Sequence, residues 1–127
     1  MARQHSADNS PRNTVLQYAL IMGSVIVLLG IGGLLLGDRS LFGFLNIDLA
    51  EDIIHLVSGG LMAWVGYTRN TGLARTIVGG LGAVYLLVGI LGFVVPNLFG
   101  LLPHGYSLFD NLLHLALGVL GLVVARR

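Results

Sequence analysis

The chain contains no cysteine and no lysine, and charged residues of either sign make up only 10% of it. Without cysteine, disulfides, thiolate catalysis and iron–sulfur ligation are excluded. The scarcity of charge, set against 55% apolar residues, is not the composition of a soluble domain. Recognisable chemical motifs are missing too. No GxxxxGK[ST] pattern follows a strand-like run, so the many glycines do not build a phosphate cradle. No serine, histidine and acid form a convincing nucleophilic constellation, which reads as a chain without catalytic activity. The few arginines follow membrane topology, and nucleic-acid binding has no support.

What the sequence does have is long apolar runs. Four segments, residues 15–36, 49–67, 73–95 and 108–125, approach the length a membrane span needs, about 20 residues for about 30 Å of hydrocarbon. They are continuously apolar, where the strands of a membrane barrel would alternate. Helices satisfy their own backbone groups in lipid, so the predicted spans are helical. The first run is too long for a signal-peptide core and no small-residue cleavage pattern follows it, so it reads as a retained span. Residues 1–14 are polar and aperiodic and read as a disordered tail.

Orientation follows from the arginines. Arg3, Arg12, Arg69, Arg75, Arg126 and Arg127 fall on one side of the predicted spans and only Arg39 on the other. Positive residues in short loops stay cytoplasmic, which predicts a multi-pass protein of the cell membrane with both termini cytoplasmic.

The two halves, about residues 15–68 and 73–127, resemble each other. A shift of 59 residues lays Gly23, Gly30, Ile31 and Gly33 on Gly82, Gly89, Ile90 and Gly92. The same shift lays Leu49, His55, Leu56, Gly59 and Leu61 on Leu108, His114, Leu115, Gly118 and Leu120. Each half reads as a helical hairpin. The predicted fold is therefore all-α, an integral membrane four-helix bundle over residues 15–127 built from two repeated hairpins.

The stretches "GAVYLLVGILGFV" (82–94) and "DNLLHLALGVLGL" (110–122) resemble the small four-pass bacterial membrane proteins of domain-of-unknown-function family number 4383. The resemblance covers about residues 15–127 and is most specific in the second half. The first half departs from the family pattern, with "EDIIHLVSGG" in place of an asparagine-rich approach to the histidine. The resemblance implies a multi-pass membrane protein and implies no activity.

Side chains three and four apart share a helix face. That groups Glu51, His55, Gly59, Met62, Ala63 and Gly66 in the second helix, and Asp110, His114, Gly118, Gly121 and Ala125 in the fourth. Stripes of small residues mark faces turned toward other helices in lipid, which places both histidines inside the bundle. Three readings of this pair compete. Each imidazole bonds its preceding carboxylate and a neighbouring helix, in a purely structural role. Alternatively, His55 and His114 bind a metal ion or the iron of a haem or other tetrapyrrole, with Glu51 and Asp110 as further metal ligands and Gly59 and Gly118 making room for a flat ring. The third, weaker reading is a proton or ion relay through the same acids and histidines.

At the level of function, the first reading corresponds to a non-catalytic scaffold or accessory subunit without cofactor, associating through glycine-rich helix faces as a homo-oligomer or in a larger membrane complex. The alternative is a histidine-ligated cofactor protein with an electron-transfer or sensing role. Outside the bilayer itself, neither identifies a partner.

Because the chain has no cysteine of its own, topology can be tested with single cysteines. One at Ser10 or Asn70 is expected to react with a membrane-impermeant thiol reagent only after cells are opened, and one at Ser40 in intact cells. Labelling of the Asn70 variant from outside would reverse the orientation.

Overall fold

A computed structural model describes residues 11–37, 45, 47–102 and 105–127. It contains four helices among those residues: α1 (Pro11–Leu36), α2 (Leu49–Thr68), α3 (Thr71–Val94) and α4 (Leu108–Arg126). Helix α1 starts four residues ahead of the predicted span, so residues 11–14 are helical and not part of the tail. Proline tolerates this position because the first turn of a helix has no use for its missing N–H. The rest of the tail, with His5, lies outside the described residues, as do His104 and most of the segment "LFGFLNI".

Among the described residues, three helices are long and apolar enough to cross a membrane: α1 over Thr14–Leu36, α3 and α4. Helix α2 has comparable length, 20 residues, but Glu51, Asp52, His55 and Ser58 lower its hydropathy.

Each hairpin is held by glycines that let two antiparallel backbones approach. A Cβ added at Gly59 would stand 2.8 Å from the Gly23 carbonyl oxygen and 2.8 Å from the Val27 nitrogen of α1. One at Gly118 would stand 2.5 Å from the Leu86 nitrogen of α3. The contacts keep the same spacing in both hairpins. Gly30 faces Leu56 and Gly89 faces Leu115, while Gly33 and Gly92 lie directly under the side chains of Asp52 and Asn111. In an apolar solvent such packing replaces the hydrophobic effect as the source of helix association.

Between the hairpins the seam is filled by larger side chains. Ile26, Met62, Val65, Val78 and Tyr85 are buried there, and the Tyr18 hydroxyl donates across the seam to the Leu117 carbonyl at 3.4 Å. The outward faces carry exposed leucine, isoleucine and valine along all four helices.

The connections are tight where they are described. Arg69 takes a left-handed conformation (φ 58°) and ends α2, and the Asn70 side chain accepts from the Leu73 N–H at 3.0 Å to start α3. Beyond α3, the Tyr106 N–H donates to the Pro96 carbonyl at 2.8 Å and the Leu102 N–H to the Asn97 carbonyl at 3.0 Å, folding the loop back on itself. Leu102 and Ile47 pack inward as apolar loop residues are expected to, whereas Phe99 is 83% exposed. Ser107 and Asp110 then form a reciprocal capping box that begins α4.

Substituting alanine at Gly59 or Gly118 is expected to destabilise the bundle by about 1–3 kcal/mol, the usual cost of overpacking, because backbone must move in each case. Alanine at Gly60 or Gly80, where nothing lies within 4 Å, is expected to be neutral or slightly stabilising. Unfolding titrations in mixed micelles read the difference, and equal effects at the two kinds of site would contradict this packing.

Candidate metal centre

One end of the bundle collects buried acids. Asp48, Glu51, Asp52 and Asp110 are all buried there, contributed by the starts of α2 and α4 and the residue preceding α2. Carboxylates near helix N-termini meet the positive end of the helix dipole, which favours them at these positions. One turn deeper lie the two histidines.

His55 and His114 come from different hairpins and face each other across the seam. Their ring centroids are 6.3 Å apart with an interplanar angle of 29°. His114 is 6% exposed and also stacks on Tyr85 at 5.8 Å, while the Tyr106 ring meets it edge-on at 4.9 Å. Its Nδ1 is buried and has no hydrogen-bond partner. On the other side, His55 Nε2 stands 3.9 Å from Glu51 Oε1, one helical turn away and beyond hydrogen-bond length. The purely structural reading would have each imidazole bonded to a neighbouring helix, and Nδ1 of His114 lacks that bond.

Glu51, His55 and His114 each offer a ligand atom, and the three atoms lie within 4.8 Å of one another. Ligands on tetrahedral zinc are separated by about 3.3 Å, so small side-chain adjustments would bring these three onto one ion. Two neutral imidazoles and a carboxylate are donors suited to divalent first-row metals.

The other predicted site residues are placed differently. Asp110 lines the same cavity, but its Oδ2 accepts the Ser107 N–H at 2.7 Å as part of the capping box, and it is not among the three converging ligands. Gly59 and Gly118 do not line the cavity, since their open sides are taken by α1 and α3. The cavity itself holds about 140 Å³. That volume is close to the roughly 150 Å³ that accommodates a benzene ring, so a tetrapyrrole would have to extend well beyond it.

Three residues of this region were not expected from the sequence as parts of one site. The Tyr85 and Ser58 hydroxyls are 2.6 Å apart, and Ser58 also donates to the Ile54 carbonyl at 2.7 Å. Tyr85 lies on the same α3 face as Gly82, Gly89 and Gly92, a helical spacing that could have marked it as inward. Tyr106 is held by the loop fold and has no such signal. Burial pushes its hydroxyl pKa up, and the nearby Glu51 and Asp110 carboxylates push it further, so it remains a neutral hydrogen-bond donor.

Comparison of the chain with models of known protein families, with curated proteins and with solved structures finds no match. The reading of this site therefore rests on its own chemistry.

The Ser58–Tyr85 bond ties α2 to α3 just behind His114. Ser58→Ala and Tyr85→Phe are each expected to cost about 0.5–1.5 kcal/mol, and the double variant to cost clearly less than their sum. Full additivity in unfolding titrations would show that the two hydroxyls are not coupled.

Proposed function

We propose that the chain is a four-pass membrane protein whose paired hairpins, related as a repeat, hold one divalent transition-metal ion between Glu51, His55 and His114. The observation that carries this reading is the convergence of three ligand atoms from two hairpins within 4.8 Å, beside a buried His114 nitrogen that has no hydrogen bond. Ionisable groups inside a membrane bundle are costly and mark functional sites by default.

Helix α2 is the fourth pass in this reading. Its polar residues, which lower its hydropathy, turn into the seam or toward α1, and its length matches a span. The glycines at Gly23, Gly59, Gly82 and Gly118 are taken up within the hairpins, while Gly32, Gly60 and Gly80 remain open. Ion binding is the function this arrangement supports best, and the arginine distribution supports a protein of the cell membrane with both termini cytoplasmic.

Purified protein in lipid nanodiscs is expected to bind one Co²⁺ or Zn²⁺ per chain. His55→Ala, His114→Ala and Glu51→Gln are each expected to lower affinity at least about 100-fold, since loss of even an outer-shell partner costs 10–100-fold. Asp110→Asn is expected to weaken the α4 cap while reducing metal affinity much less. Elemental analysis and the visible spectrum of bound Co²⁺ provide the readout. A chain that takes up no ion, or takes it up equally after both histidines are replaced, would overturn the reading.

A further inference from the structure

Charge is sorted along the axis of the bundle. Among the described residues, the acids Asp48, Glu51, Asp52 and Asp110 lie at the end where α2 and α4 begin. Arg69, Arg75, Arg126 and Arg127 lie at the other end, where α2 and α4 finish and α3 starts. No acid in the first turn of α3 offsets them. Holding a connection on the cytoplasmic side requires only that it contain arginine. Arg75 is placed for more than that.

Arg75 lies one turn inside α3 and is half-buried, on the same helix face as Gly79 four residues on. A Cβ added at Gly79 would stand 3.2 Å from the Ala125 Cβ, so this face of α3 packs against the end of α4. Across the contact, Arg75 Nη2 donates to the Arg127 backbone oxygen at 2.6 Å. One partly buried arginine is thereby fixed beside the two exposed ones that close α4. Its Nε–H is buried and has no hydrogen-bond partner within the protein. The group with donors to spare is a guanidinium, and a phosphate, which takes two parallel N–H bonds, is its matched acceptor.

The surroundings indicate which phosphate. Helices α3 and α4 are apolar enough to span a membrane over Thr71–Val94 and Leu108–Arg126, so Arg75 and Arg126 stand where a span meets the headgroups. On α2 at the same end, Trp64 is 53% and Tyr67 80% exposed, and outward aromatic side chains at the end of a span favour headgroup level. Clusters of arginine beside a span recruit anionic lipids.

We infer that Arg75, Arg126 and Arg127 form a binding site for the phosphate of an anionic phospholipid. This rests on the reading of the chain as a membrane protein and is independent of the metal centre.

The test uses the full chain in phosphatidylcholine nanodiscs with a trace of spin-labelled phosphatidylglycerol or spin-labelled phosphatidylcholine. The motionally restricted part of the electron paramagnetic resonance spectrum reports lipid held at the protein surface. Phosphatidylglycerol is expected to be held at least about tenfold more strongly, since each arginine near the surface contributes about a factor of five. Arg75→Gln is expected to lower this preference about fivefold, and Arg126→Gln combined with Arg127→Gln at least as much. Arg69→Asn removes one charge from the same end, away from the Arg75–Arg127 bond and at a left-handed position that asparagine tolerates. An arginine outside the site acts only through a screened field, so at about 0.15 M salt the Arg69→Asn preference is expected to stay within about twofold. Circular dichroism checks that each variant is folded, and the exposed Arg126 and Arg127 pair keeps the test decisive where Arg75→Gln unfolds.

Equal retention of the two probes overturns the headgroup site and leaves the membrane reading standing. So does a loss in Arg69→Asn as large as that in Arg75→Gln, because a diffuse positive field would then account for the preference. A chain that stays helical and dissolved without detergent, and does not enter nanodiscs, overturns the membrane reading and the site with it.

Discussion

The structure depends on the absence of a side chain at a handful of positions. Ordinary packed helices stand about 8–10 Å apart, separated by the side chains between them. Here Gly23 and Gly59 in one hairpin, and Gly82 and Gly118 in the other, remove that separation and bring backbone against backbone. Dispersion between closely apposed backbones supplies attraction that lipid-facing leucines cannot, because hydrocarbon solvates leucine as well as protein does. Once these faces are fixed, rotation of each helix about its axis is fixed with them. His55 and His114 are then aimed at the seam between the hairpins, and the exposed valines and leucines away from it.

That arrangement carries an electrostatic cost. Four acids are buried at one end of a small bundle, where desolvation penalises their charged forms. The helix N-termini at α2 and α4 and the capping box around Asp110 offset part of this. A cation between Glu51 and the two imidazoles would offset more, and any ion that binds only the folded chain stabilises it by mass action. Metal content and fold stability are thereby expected to be linked.

Much of this was legible in the sequence, for identifiable reasons. Long apolar runs gave the helices, since length and continuous hydropathy are strong signals, and small-residue stripes gave the inward direction of both histidines. The roles of Gly59 and Gly118 were read less well. A glycine beside a histidine on a helical stripe looks like space left for a ligand, but the missing Cβ serves the helix behind it, α1 or α3. Asp110 was read as a partner of His114 because it lies four residues before it. The pattern Ser107-x-x-Asp110 is also the signature of a capping box, and the backbone N–H of Ser107 took the carboxylate. Tyr106 reaches His114 only because a loop folds back through its hydrogen bond to Pro96, which no local pattern announces.

The link between α2 and α3 consists of Arg69 and Asn70 alone, which makes that end of the molecule a pivot. His55 lies thirteen residues from the end of α2, a lever arm of roughly 20 Å. A tilt of about 5° between the hairpins, hinged at those two residues, would carry the imidazole through roughly 2 Å. This is comparable to the contraction that three atoms now within 4.8 Å of one another need to grip a single ion. Such a tilt would also work against the Ser58–Tyr85 bond, which joins the two hairpins part-way along the arm, so the span of the grip and the integrity of that bond are coupled.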